Sequence, residues 1–100
     1  MSLIVAGTFR VPAHNLEPFK TPMAEMLAAS RVEPGCVEYS YAMDAAEPGL
    51  VRVFEVWRSR ADLEAHFKSV HLARWREACE RFGVSDRRLT AYEITRSEPI

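Results

Sequence analysis

The chain has 100 residues, 48% hydrophobic and 27% charged, with 13 basic residues against 14 acidic ones and a net charge of −1. Such figures describe one small domain over residues 1–100 and exclude the basic footprint that nucleic acid or an anionic membrane surface requires. Cys36 and Cys79 lie far apart without the spacing of a disulfide framework or thiolate metal site, and no early apolar run reads as a signal or spanning segment, so the expected compartment is the reducing cytoplasm.

Leu3 to Arg10 reads as a strand, with Leu3, Val5 and Phe9 alternating with Ala6, Thr8 and Arg10, and with Gly7 marking a bulge or a close backbone approach. Leu16, Phe19, Met23, Met26 and Leu27 then form a helical stripe ending near Arg31, with Asn15 as the expected N-cap. Pro22 within it implies either a kink or a second start capped by Thr21, and periodicity favours one kinked helix. Glu33-Pro34-Gly35 is a turn signal, followed by a strand over Cys36–Met43, a polar loop over Asp44–Gly49 and a strand over Leu50–Arg58. Ser59 and Asp62 open the next helix as a capping box. Leu63, Phe67, Val70, Trp75, Cys79 and Phe82 are its expected buried residues, with a break around Ser69–His71 and a stop at Gly83. Leu89–Thr95 reads as the last strand.

The order βαββαβ is that of a ferredoxin-like α+β fold, a four-stranded antiparallel sheet with helices on one face. Such a sheet ordinarily has one apolar and one solvated face. Here the third strand sets Leu50, Phe54 and Val56 on one side and Val51, Val53 and Trp57 on the other. The helices can cover only one of these. A second copy of the chain is therefore expected against the other, giving a dimeric α+β barrel. A chain of this length buries only about 60–65% of the surface its unfolded form exposes, and the homodimer would supply the missing stability.

Glu33-Pro-Gly-Cys36 leading into Tyr39 and Tyr41, then Phe54-Glu-Val-Trp57, Leu63-Glu-Ala-His66 and Ser69-Val-His71, resembles the antibiotic biosynthesis monooxygenase family from Leu3 to about Arg96. The resemblance implies a dimeric α+β barrel that oxidises quinols or aromatic polyketides with O2 and without metal, flavin or haem. The same fold also carries isomerases and members without known activity, so a non-catalytic barrel binding a small hydrophobic metabolite, or an isomerase, stands as the alternative. The haem-degrading branch places an asparagine in the first strand and a tryptophan–histidine pair on the later helices. This chain has Gly7 and Thr8, and His66 and Arg76, at those places. Haem degradation is accordingly not implied.

Cofactor-free oxygenation needs a base for a phenolic proton and a dry pocket with aromatic walls. His66 and His71 are the candidate bases, since imidazole titrates near neutrality. Glu55 shares a strand face with Val51, Val53 and Trp57, so it should be partly buried and need a partner or a raised pKa. It is either a base or orienting acceptor, or half of a structural pair, although strand parity turns Arg52 and Arg58 the other way. Trp57, Tyr39, Tyr41, Phe67 and Trp75 are the candidate substrate-binding walls. Metal ligation is not expected: five-residue spacing sets His66 and His71 about 140° apart on a regular helix, and no third ligand is evident. Arg74, Arg76, Glu77, Glu80 and Arg81 read as a solvated face with helical ion pairs.

Overall fold

The alternating residues of Leu3–Arg10 form strand β1, which lies inside the sheet of a computed structural model that describes all 100 residues. Helix α1 (Leu16–Arg31) follows a short 3-10 turn over Ala13–Asn15. Strands β2 (Cys36–Met43) and β3 (Leu50–Trp57), helices α2 (Arg60–Phe67) and α3 (Val70–Phe82), and strand β4 (Ser85–Glu93) complete the chain. The strand order is β2-β3-β1-β4 with every pairing antiparallel, the ferredoxin-like arrangement expected. No helix is long and apolar enough to cross a membrane.

Gly7 is a point of close approach: an added Cβ would overlap the Arg88 carbonyl of β4. Gly7→Ala is expected to lower stability by about 1–3 kcal/mol, read as a reduced midpoint in urea unfolding. One residue pair further on, the β1–β4 register shifts between Thr8 and Arg10, where Asp86 takes a positive φ of 50°. This bulge hides the start of β4 from a periodicity search, and the strand begins at Ser85 and ends at Glu93 instead of spanning Leu89–Thr95. Its polar start is tolerable because β4 is an edge strand.

Helix α1 is one uninterrupted helix with Pro22 inside it, so no second start occurs at Thr21. Asn15 stands at its N-cap position but caps nothing there. Its side-chain amide instead donates to the Phe82 carbonyl at 2.8 Å and ties the start of α1 to the end of α3. Ser59 caps α2 by accepting from the Asp62 amide, and Ser69 caps α3 by accepting from the Leu72 amide. The break between these helices resets the helical phase. The buried positions become Leu63 and His66 on α2, then Leu72, Trp75, Ala78 and Cys79 on α3. Phe67 and Val70, expected inside, are 46% and 70% exposed.

The helices cover the face that carries Leu3, Val5, Phe9, Tyr39, Val51, Val53 and Trp57, all buried. On the opposite face the register aligns Tyr92, Ile4 and Val56 in one row and Ala6 with Phe54 in the next. Phe54 and Tyr92 are exposed there. A second apolar face on the sheet is therefore present, as the strand patterns require.

Candidate functional site: a Glu–His–Tyr line beside a cavity

The turn between α1 and β2 is fastened to its neighbours by main-chain and side-chain bonds. The Arg58 amide donates to the Gly35 carbonyl at 2.9 Å and the Arg58 guanidinium to that of Pro34 at 3.2 Å. An added Cβ at Gly35 would overlap the Asp62 side chain, so the start of α2 sits directly on the turn. This packing carries Glu33 toward the end of α2. The Ser69 hydroxyl closes the α2–α3 break by donating to the His66 carbonyl at 2.7 Å. With the helix broken there, the His66 and His71 ring centres lie 5.8 Å apart.

Glu33 Oε2 joins them, at 2.6 Å from His66 Nδ1 and 2.8 Å from His71 Nε2. A carboxylate only accepts, so both ring nitrogens facing it carry their hydrogens. His66 then has its lone pair on Nε2, which lies 3.3 Å from the Tyr39 hydroxyl and accepts from it. The Tyr39 oxygen is in turn 3.3 Å from that of Tyr41, which serves as its donor. The result is a directed line Tyr41–Tyr39–His66–Glu33. His66 is 2% exposed and packs against Trp57, with ring centres 4.7 Å apart. Burial pushes its pKa below the ordinary imidazole value, with Glu33 opposing the shift, so the ring is neutral near pH 7. Burial raises the phenols of Tyr39 and Tyr41 above their usual value, which keeps both as donors.

Glu55 is 4% exposed, and its carboxyl accepts from the Trp57 indole N–H at 2.9 Å. That bond is the partner its burial demands. Arg52 pairs instead with Asp44, and Arg58 with the Pro34 carbonyl. Glu55 therefore does not orient a histidine; Glu33 does. Burial raises the Glu55 pKa against the opposing hydrogen bond of Trp57 and the charge of Arg87.

A cavity of about 240 Å³ lies between α2, α3 and the sheet. A dry space of about 150 Å³ already holds benzene, so a single substituted ring fits. Tyr39, Glu55, His66 and Phe67 line it, as do Leu72, Arg76 and Arg87. Trp57, Tyr41 and Trp75, expected as walls, do not. Trp57 lies beneath His66, while Tyr41 and Trp75 pack with Phe9 and Phe19 in the core. His71 borders a smaller recess of about 120 Å³ together with Met26 and Trp75. The expected ion pairs along α3 do not form: Arg81 stands over the Phe82 ring at 5.5 Å, and Arg76 faces the cavity.

Glu33, His66 and His71 also correct the expectation that no third metal ligand exists. Their ligating atoms all lie within 4.8 Å of one another, the donor set of a two-histidine, one-carboxylate centre. Hydrogen bonds to Glu33 already satisfy both histidine nitrogens in that set.

Glu33 was hidden by its place in a turn signal. The clue is electrostatic: an acid just past the C-terminus of α1 opposes the helix dipole unless something cationic or protic meets it. Arg76 was within reach of periodicity, because Leu72, Arg76 and Cys79 share one helical stripe. Arg87 alternates with Leu89 and Ala91 and was lost with the misplaced start of β4.

The fold has close counterparts among solved structures. A candidate antibiotic biosynthesis monooxygenase from Deinococcus radiodurans superposes with a TM-score of 0.89 at 23% identity, covering 100% of this chain and 98% of that one. Another from Nitrosomonas europaea gives 0.83 at 21% identity over 96% and 100%. A conserved protein from Methanosarcina mazei gives 0.82 at 17% identity over 92% and 91%. An uncharacterised protein of Synechocystis is 30% identical over 98 residues, or 98% of this chain and 67% of that protein. Residues 2–78 match the sequence pattern of the antibiotic biosynthesis monooxygenases, and the chain belongs to that family.

Proposed function

We propose that the chain is a cofactor-independent monooxygenase that oxidises a small quinol or related phenol with O2 in the cavity beside His66. The observation that carries this reading is the Glu33–His66–Tyr39 line, which presents a neutral imidazole at the wall of a ring-sized cavity. His66 Nε2 takes the phenolic proton, exchanging its bond to Tyr39 for one to the substrate. Glu33 balances the imidazolium that forms and holds the ring in the required tautomer. His71, sharing the same carboxylate oxygen, is a positioning residue for Glu33. The phenolate is electron-rich enough to reduce O2. One oxygen atom becomes bonded to the ring and the other leaves as water, both electron pairs coming from the quinol, which ends as a hydroxyquinone. Apolar walls from Val5, Leu63, Phe67 and Leu72 limit water around the anion.

Members of this family commonly form dimers. The rows Tyr92–Ile4–Val56 and Ala6–Phe54 support a homodimer closed through the sheet face. Two unpaired cysteines fit a reducing cytoplasm.

Oxygen uptake with a panel of hydroquinones tests the reading. Quinol-dependent consumption is expected, whereas ligand-induced thermal stabilisation without uptake would favour the binding barrel. Product formation under anaerobic conditions would favour an isomerase. Dialysis against a chelator is expected to leave the rate unchanged. Loss of activity restored by a divalent ion would instead assign Glu33, His66 and His71 to a metal.

A further inference from the structure

We infer that the cavity selects ring substrates that carry a carboxylate, held at its mouth by Arg76 of α3 and Arg87 of β4. The inference rests on the reading of this cavity as the substrate site. Both arginines line it, one from a helix and one from the sheet. Neither forms an ion pair, although Arg87 is near enough to Glu55 for its charge to be felt there. Arg10, Arg52, Arg60, Arg88 and Arg96 are taken up by ion pairs. Arg31 and Arg58 donate to main-chain carbonyls, and Arg81 covers Phe82. The arginines left over are Arg74, Arg76 and Arg87, and each borders a cavity.

A shortage of acids does not explain this, since the chain has more acidic than basic residues. Glu80 stands four residues from Arg76 on α3, the spacing that favours a helical ion pair, yet no pair forms. Asp86, adjacent to Arg87, turns to Arg10 and Arg88. Two exposed guanidinium groups on the lining of one cavity, each able to donate in bidentate fashion, suit a planar carboxylate. Glu55 and His66 are buried where the two arginines are exposed, and desolvation disfavours a charged group among the buried ones, so the carboxylate stays with the arginines and the ring enters with its hydroxyl toward His66. The charges reach inward: Arg87 acts on Glu55, and Arg76 on His66.

The test compares hydroquinone with dihydroxybenzoate, its carboxylated counterpart, by anaerobic calorimetry at neutral pH, where binding is read without turnover. Dihydroxybenzoate is expected to bind about tenfold tighter, with the advantage shrinking as salt is raised. Arg76→Gln and Arg87→Gln should each remove most of that advantage and change hydroquinone affinity much less, with circular dichroism confirming the fold. Equal affinity for both probes, no binding of either, or variants that weaken both alike would overturn the inference. Preferential carboxylate binding without oxygen uptake in air would uphold it while ending the monooxygenase reading. Uptake with neutral quinols and no carboxylate preference would do the reverse.

Discussion

His66→Gln is expected to reduce kcat by about 10²–10⁴-fold, the usual worth of a positioned general base. Glutamine nearly matches the volume of the buried imidazole and can still meet Tyr39 and Glu33, so the unfolding midpoint should change little by comparison. Loss of rate with an intact fold separates chemistry from packing. The pH profile gives a second readout. Because burial holds His66 below the ordinary imidazole value, the acidic limb of kcat/KM should fall below about pH 6.5. Activity should then decline as pH drops and the ring takes up its proton in advance. Glu33 opposes that shift, so Glu33→Gln should move the limb further toward acid and slow the reaction. A limb that stays fixed in Glu33→Gln would detach the carboxylate from the base. His71→Gln should have a smaller effect, since its ring lies away from the cavity and acts only through Glu33.

Phe54→Asp should convert the proposed homodimer to monomers. Phe54 projects from β3 on the face without helices, beside Ala6 of β1, and is 38% exposed in the single chain. Full burial of a phenylalanine contributes about 1.5–3 kcal/mol, and with only the exposed 38% of Phe54 left to cover, two copies supply about 1–2 kcal/mol on that scale. Two carboxylates placed against the apolar rows add a desolvation cost to that loss, so the dissociation constant should rise by at least about tenfold. Sedimentation velocity at micromolar concentration checks this, with Glu64→Lys, on an exposed position of α2 away from that face, as a control. If the wild-type chain already sediments as a monomer at that concentration, the dimeric barrel is wrong for this protein.

Elements whose two faces differ in polarity could be read from residue order alone. Strands β1 and β2 alternate, β3 is an apolar run broken by Arg52 and Glu55, and the Ser59 and Ser69 caps bracket α2, whose end the slip of the apolar stripe already marks at Val70. The first half of strand β4 escaped because its residues are polar and a bulge at Asp86 interrupts its period. Within the site, His66, Glu55 and Tyr39 could be singled out because each is a polar group on an apolar face. Which of them meet could not. Glu33 reaches His66 across 33 positions of sequence, through a turn whose docking depends on Arg58 and Asp62. Aromatic type was a poor guide to the walls. Trp57, Tyr41 and Trp75 fill space behind the site, while Arg76, expected on a solvated face, borders it together with Arg87.

The most direct measurement is turnover of a hydroquinone under isotopically heavy O2 by chelator-treated protein, with the product examined by mass spectrometry. Oxygenation driven by His66 without a metal predicts one heavy oxygen atom in the hydroxyquinone from the wild-type chain and almost none from His66→Gln. A product whose new oxygen comes from water, or equal labelling in the two proteins, would contradict it.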